Sequence, residues 1–262
     1  MESTTNETVL KRCPVCGEAT LVSLHMEWAG KDMEVPAECK CQREKREAEE
    51  LEQRRRDRAL RAAQERKACF PFEALERMTF SADDGKNPQA SAVFKRYGEK
   101  LGEAVEANAG ILMYGGVGSG KTFYAACIAN AAIDMGLKAA FTSVSDLSSR
   151  MGANFGKDRA RIIHDICGKD IIVLDDLGAE RGTEAAQENV YQAVNALCLA
   201  GVLIIATTNL TVKDMQDEKQ PTLQRIYSRI FGACQPFEVK AKDRRREISR
   251  DKADFYKSLL KH

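Results

Sequence analysis

The chain has 262 residues, 44% hydrophobic and 30% charged, with a formal net charge of +1. That length suits one large domain plus a small one. The near-balance of charge excludes bulk basicity as a means of holding nucleic acid, and no run approaches the roughly 18 apolar residues of a membrane helix.

Met1 to Lys11 is polar and carries acids, unlike a secretory signal. Nine cysteines, an odd number, without such a signal predict a reducing, cytoplasmic setting rather than a disulfide framework. Four of them mark residues 1–41 as a module. Cys13-Pro-Val-Cys16-Gly17 is a knuckle whose glycine permits the turn that converges two thiolates, and Cys39-Lys-Cys41 supplies a second pair. Four thiolates in a tetrahedral set suit Zn²⁺, and metal binding would stabilise a module too small for a core of its own. His25 lies in the gap as a substitute ligand. Four closed ligands make the site structural, with no open position for catalysis. Lys31 and Lys40 stand among Glu27, Asp32, Glu34 and Glu38, which disfavours a phosphate-gripping surface. Met26, Trp28 and Met33 either form a protein-binding spot or fill the small core. Cys69, Cys127, Cys167, Cys198 and Cys234 sit at apolar positions and read as core.

Residues 42–69 are dominated by Arg, Lys, Glu, Gln and Ala, with Leu51 and Leu60 the large apolar residues. The stretch reads as a solvated helical linker, or as a helix that binds a partner. Residues 70–262 form the main domain. A helix is expected over Pro88 to Val105 after the loop at residues 83–88. From Ala109 strands alternate with helices, the pattern of a parallel α/β sheet. Strands are predicted at 111–114, 138–144, 171–174, 202–206 and 235–239. Helices are predicted near 122–135, 145–152, 158–167, 184–200 and 222–231, and residues 240–262 read as a basic, helical tail.

Gly115, Gly116, Val117, Gly118, Ser119, Gly120, Lys121 and Thr122 complete a G-x-x-x-x-G-K-T phosphate loop between a strand and a helix. Its glycines let backbone N–H groups point at phosphate oxygens. Lys121 can reach the β- and γ-phosphates, and the Thr122 hydroxyl can hold Mg²⁺. The ligand is therefore a nucleotide, ATP in the reading taken below. The apolar run Ile171 to Leu174 ends in Asp175 and Asp176 at the edge where parallel sheets bind ligands. Asp175 would hold Mg²⁺, directly or through water, and Asp176 would orient or deprotonate the attacking water. Asp176 is shorter than the glutamate common at that place, so hydrolysis is expected to be slow. Arg225 and Arg229 are spaced i, i+4 and share one helix face. They form either a solvated basic face or a rim that completes a neighbouring subunit's site.

A strand lies between the phosphate-loop strand and the Asp-Asp strand, a spacing that resembles the P-loop branch containing AAA+ and RecA-like ATPases. In that branch the strand after the acidic pair often ends in a polar γ-phosphate sensor, which makes Asn209, after Thr207 and Thr208, the sensor. Over roughly residues 70–246 the chain resembles the AAA+ helicase loaders of the DnaC/DnaI type and the IstB-like transposition ATPases. The resemblance rests on Gly115–Thr122, on residues 174–178, on Thr207 to Asn209, on Arg225 to Ile230, and on Lys242 to Arg245. It implies an AAA+ sheet of five parallel strands with flanking helices. It also implies Arg229 as the arginine finger with Arg225 second, ATP-dependent self-assembly, and binding of single-stranded DNA. Segments 145–160 and 179–187 are the DNA-facing candidates, with Phe155 the base-stacking aromatic. Residues 240–262 are too few for a full helical lid, so a reduced lid is expected, a truncation that helicase loaders share. Arg77 to Ser81 and the surroundings of Tyr97 are candidates for the adenine contact. Some loaders of this type carry an N-terminal zinc module that grips the helicase.

The function expected is therefore ATP-dependent loading of a hexameric replicative helicase of the DnaB type during replication initiation, by a slow ATPase with no membrane partner. The alternatives are an IstB-like ATPase assisting a DNA transposase, and a zinc-bearing adaptor whose nucleotide site is a static clamp.

Overall fold

The computed structural model describes residues 7–26, 28–154, 156–179, 182–241 and 256. The chain divides into two units, residues 1–61 and 62–262. In the first, β1 (Glu7–Arg12), β2 (Ala19–Met26) and β3 (Lys31–Pro36) form an antiparallel sheet in that order. These strands carry no periodic signal, because their apolar residues are too few to mark a buried face. Val22 and Cys39 are the buried residues among those described in the unit.

Helix α1 (Lys40–Cys69) begins in the first unit and ends in the second. Its exposed length lacks an apolar face, yet i, i+4 ion pairs recur along it: Lys40–Glu44, Lys45–Glu49, Arg46–Glu50 and Arg54–Glu50. Pairs one turn apart on a helix surface favour the helical form, each weakly because water screens it. From Ala62 the helix turns residues into the second unit's core, where Cys69 and Phe70 are buried.

The second unit continues with the short α2 (Glu73–Glu76), a 3₁₀ turn at Phe80–Ala82, α3 (Pro88–Glu99) and α4 (Leu101–Glu106). Asn87 caps α3 by accepting from the Ala90 N–H at 3.2 Å, and Pro88 occupies the first turn, where no N–H is needed. The single helix predicted over Pro88 to Val105 is thus two, broken at Lys100, whose φ of −102° and ψ of 18° leave helical geometry.

Five strands follow: β4 (Gly110–Tyr114), β5 (Ala139–Ser143), β6 (Ile171–Leu177), β7 (Leu203–Thr208) and β8 (Cys234–Glu238). They pair in parallel in the order β5-β6-β7-β4-β8. In space, β7 separates the phosphate-loop strand from the Asp-Asp strand, while β5, which separates them in sequence, lies at the sheet edge. The helices are α5 (Lys121–Met135), α6 (Val144–Ala153), α7 (Lys157–Cys167), α8 (Glu184–Ala200), α9 (Val212–Gln216) and α10 (Pro221–Ala233). Helix α9 was not foreseen; its signal is the Thr211/Asp214 capping box.

Strand alternation sorts the core into two. Ile111, Met113, Val173 and Ile205 point to one face with Ala125, Ile128 and Phe94. Leu112, Ile172, Leu174 and Ile204 point to the other with Leu147, Val190 and Ile226. Burying each of the larger of these side chains contributes about 1.5–3 kcal/mol, and two apolar faces explain why these strands read as unbroken hydrophobic runs. No described helix is long and apolar enough to cross a membrane. The expected reduced lid, the basic tail and Lys242 to Arg245 fall outside the described residues, apart from Lys240, Ala241 and Tyr256.

Candidate functional site

The phosphate loop bridges the end of β4 and the start of α5. Gly115 has a φ of +145°, and a Cβ there would lie 2.6 Å from the Val239 carbonyl oxygen. Gly120 takes a φ of 99° at the entry to α5, whose N-terminus carries no side-chain cap. The first amides of a 15-residue helix are therefore left for an anion. A cavity of about 390 Å³ opens there, lined by Val117 to Phe123 and by Met78, Asp176 and Asn209. The Ser119 hydroxyl is buried without a hydrogen-bond partner. An orphaned hydroxyl, uncapped amides and a lysine in one cavity are the donor set that phosphates require.

Four predicted residues meet beside it. Lys121 Nζ donates to the carbonyl oxygens of Gly115 and Gly116, each at 2.9 Å, and to Asn209 Oδ1 at 2.8 Å. Thr122 Oγ1 donates to Asp175 Oδ1 at 3.1 Å. Asp176, next along β6, has a φ of +57°, a left-handed conformation that an aspartate adopts at some cost, and it lines the cavity. Burial pushes the Asp175 carboxyl above its ordinary value; the Thr207 hydrogen bond opposes this, and the neighbouring Asp176 charge adds to it. A cation would reverse that imbalance, so the Thr122–Asp175 pair suits Mg²⁺.

Thr207 is a site residue the sequence reading missed. Its hydroxyl donates to Asp175 Oδ1 at 2.6 Å and accepts the Asp176 N–H at 3.0 Å. The available signal was a hydroxyl at the end of a strand otherwise buried and apolar on both faces.

Arg225 and Arg229 are not brought to this cavity. Arg225 stacks on Tyr191, 3.9 Å from the ring centroid, and both arginines line a separate depression of about 470 Å³ with Gln224 and Ser228. Of the adenine candidates, Met78 lines the nucleotide cavity. Tyr97 does not; its hydroxyl donates to the Ala109 carbonyl at 2.7 Å. Segment 145–160 falls on α6 and α7, and 179–187 leads into α8, while Phe155, Glu180 and Arg181 lie outside the described residues.

In the first unit the Sγ atoms of Cys13, Cys16, Cys39 and Cys41 all lie within 4.8 Å of one another. The Gly17 N–H donates to the Cys13 carbonyl at 2.9 Å and closes the knuckle. Backbone N–H groups of Glu18 and Cys41 pull the Cys16 thiol down to about 6, while the Cys16 neighbour pushes Cys41 up to about 12. Cys16 ionises readily at neutral pH while Cys39 and Cys41 resist, which is the condition a soft cation relieves, and the donor set fits Zn²⁺. His25 is not a member: it pairs with Asp32 across the β2–β3 ladder, Nδ1 to Oδ1 at 2.6 Å. Trp28 is 84% exposed and fills no core. Of the scattered cysteines, Cys69, Cys127 and Cys234 are buried, and Cys167 and Cys198 pack against the core from its margin.

A family model described as IstB-like ATP binding protein matches residues 43–252. The chain is 28% identical over 101 residues to the uncharacterized protein YdaV of Escherichia coli strain K12, a match covering 38% of this chain and 41% of YdaV. A solved structure of a DNA replication initiation factor superposes with a TM-score of 0.53 at 24% identity, covering 69% of this chain and 55% of that one. The DnaC helicase loader superposes with a TM-score of 0.57 at 21% identity, covering 64% of this chain and 100% of that one. The chain thus spans about half the length, or less, of YdaV and of the initiation factor, and the structural likenesses speak for the fold.

Proposed function

The chain belongs to the IstB-like ATP-binding family, and from that membership we propose that it is an ATP-switched loader of a hexameric replicative helicase. In this reading residues 1–41 dock on the helicase, residues 42–69 link, and residues 70–262 form the AAA+ ATPase. The observation that carries it is the joining, in one chain, of a complete phosphate side of a nucleotide site with a separate four-cysteine unit that presents Trp28. The superposable DnaC helicase loader supports the same choice.

The phosphate loop binds ATP, with Lys121 leaving the loop carbonyls for the phosphates. Thr122 and Asp175 would hold Mg²⁺, which neutralises phosphate charge when bound. Asp176 aligns the attacking water and accepts its proton as ADP and phosphate separate. Asn209, already hydrogen-bonded to Lys121, senses whether the γ-phosphate is there. Arg229, with Arg225, reaches the site of a neighbouring subunit, so turnover requires assembly. Single-stranded DNA lies along segments 145–160 and 179–187. Cys13, Cys16, Cys39 and Cys41 would hold Zn²⁺, which crosslinks the module when bound. The setting is the cytoplasm.

Two experiments test this. The full chain with ATP is expected to copurify with the replicative helicase of its own host or phage; no complex would sink the docking role. Arg229→Ala should lower turnover by about 10³-fold. Mixing it with a Lys121→Ala variant should restore activity, since each supplies what the other lacks, and failure to complement would place the arginine outside the reaction. The family description favours one second reading, an IstB-like ATPase that assists a transposase. Stimulation of turnover by a transposase and not by the helicase would select it.

A further inference from the structure

Asn130 is 1% exposed and lies on α5, the helix that the phosphate loop feeds. The two hydrogens of its Nδ2 are shared among three carbonyl oxygens, those of Leu75 at 3.1 Å, Met78 at 2.9 Å and Ala126 at 3.1 Å. Its Oδ1 accepts from Arg66 Nε at 3.0 Å, and Arg66 also pairs with Asp134 further along α5. This census fixes the amide: the reverse orientation would turn an acceptor toward three acceptors and a donor toward a guanidinium. Buried amides with every position used are costly to disturb.

Two of the three carbonyls belong to α2 and the turn that follows it, Leu75 to the helix and Met78 to the turn, and that turn carries Met78 into the nucleotide cavity. The cavity has a polar side, where Ser119, Lys121 and the uncapped helix amides stand. It also has apolar walls, Met78, Val117 and Phe123. Phosphates belong on the first and a flat heterocyclic base on the second.

We propose that Asn130 is a positioning residue for nucleotide binding. It ties the Met78 wall to the phosphate-loop helix, with Arg66 holding its amide in the productive orientation. The base and the phosphates then meet surfaces fixed to a single element. The inference rests on the nucleotide-binding reading.

The test compares ATP with inorganic tripolyphosphate, a ligand without a base, by titration calorimetry on the full chain. Asn130→Asp is nearly isosteric and sets a carboxylate oxygen against the carbonyls; Met78→Ala removes the wall and leaves the amide alone. Each is expected to weaken ATP about tenfold and to leave tripolyphosphate within about twofold. Equal losses for both ligands, or unchanged ATP affinity in both variants, would overturn the proposal. Should Asn130→Asp not fold, Met78→Ala and Arg66→Gln decide alone: selective loss of ATP supports it, and wild-type affinity refutes it. If the wild-type chain binds neither ligand, the nucleotide reading itself fails, an outcome distinct from a wild type that binds both with variants that match it.

Discussion

The two units of this chain reach an ordered structure by different routes. The unit from residue 62 onward buries both faces of a five-stranded sheet, and Leu112, Ile172, Leu174 and Ile204 are 0% exposed. The unit before it has a three-stranded sheet in which, among the described residues, Val22 is the buried apolar strand residue, and four of its thiols lie within 4.8 Å of one another. Below about 40 residues apolar burial seldom outweighs chain entropy. The contrast teaches that area removed from water orders the second unit, while the first offers little of it and, in the proposed reading, relies on a metal held by its four thiols.

The most severe way to break that contrast is to strip the four-thiol site of the Zn²⁺ proposed for it. Chelation, or Cys13→Ser with Cys16→Ser, should remove on the order of 10 kcal/mol from the first unit. Amide exchange over residues 7–36 is then expected to reach unfolded rates while β4, β6 and β7 stay protected and ATP still binds. Loss of protection in both units would mean that they share one source of stability. The converse experiment is Leu112→Ala, which opens a cavity between β4 and the helices on its face. It should cost about 2–5 kcal/mol in urea melting of the second unit and leave zinc content unchanged.

The same contrast governs what the sequence discloses. The second unit's strands were readable because burial on both faces writes itself as runs such as Ile171 to Leu174. The phosphate loop was readable because its backbone conformation admits few residues. The first unit's strands were not, since a half-exposed meander over one valine leaves no periodic signal. Its cysteine knuckle was plain from spacing, and the exclusion of His25 needed the β2–β3 register that pairs it with Asp32. Lys100, which divides α3 from α4, carries no breaker signal. The roles of Thr207, which the sequence shows only as part of a motif, and of Asn130 were hidden for another reason. Each acts through groups distant in sequence, Asp175 and Asp176 for one, Leu75, Met78 and Arg66 for the other.

Smaller effects sharpen the contrast inside the second unit, where polar groups are tolerated only when satisfied. Thr207→Val keeps the shape but removes a donor from Asp175 and an acceptor from the Asp176 N–H. A cost of about 1–3 kcal/mol is expected in thermal melting, with a raised Mg²⁺ requirement for ATP binding, and Thr207→Ser should recover most of both. A melting curve and Mg²⁺ dependence equal to wild type would show that water replaces the hydroxyl.

Asp175→Asn should have the smallest effect and the opposite sign. The Asp175 carboxyl is raised above its ordinary value chiefly by burial, so the folded state holds its proton to higher pH than the unfolded state does. Stability linked to this group is therefore fully present below the unfolded value and lost as pH rises through the raised folded value. At pH 7, without metal, the wild type carries a buried carboxylate that resists ionisation, and the asparagine variant does not. The variant should melt at a higher temperature than the wild type at pH 7, the gain shrinking as pH falls toward 4 and reversing on addition of Mg²⁺ with ATP, which only the carboxylate can hold firmly. A melting difference that ignores both pH and Mg²⁺ would mean that Thr122 and Thr207 already compensate the charge. The second unit would then bury an acid as easily as it buries Leu174.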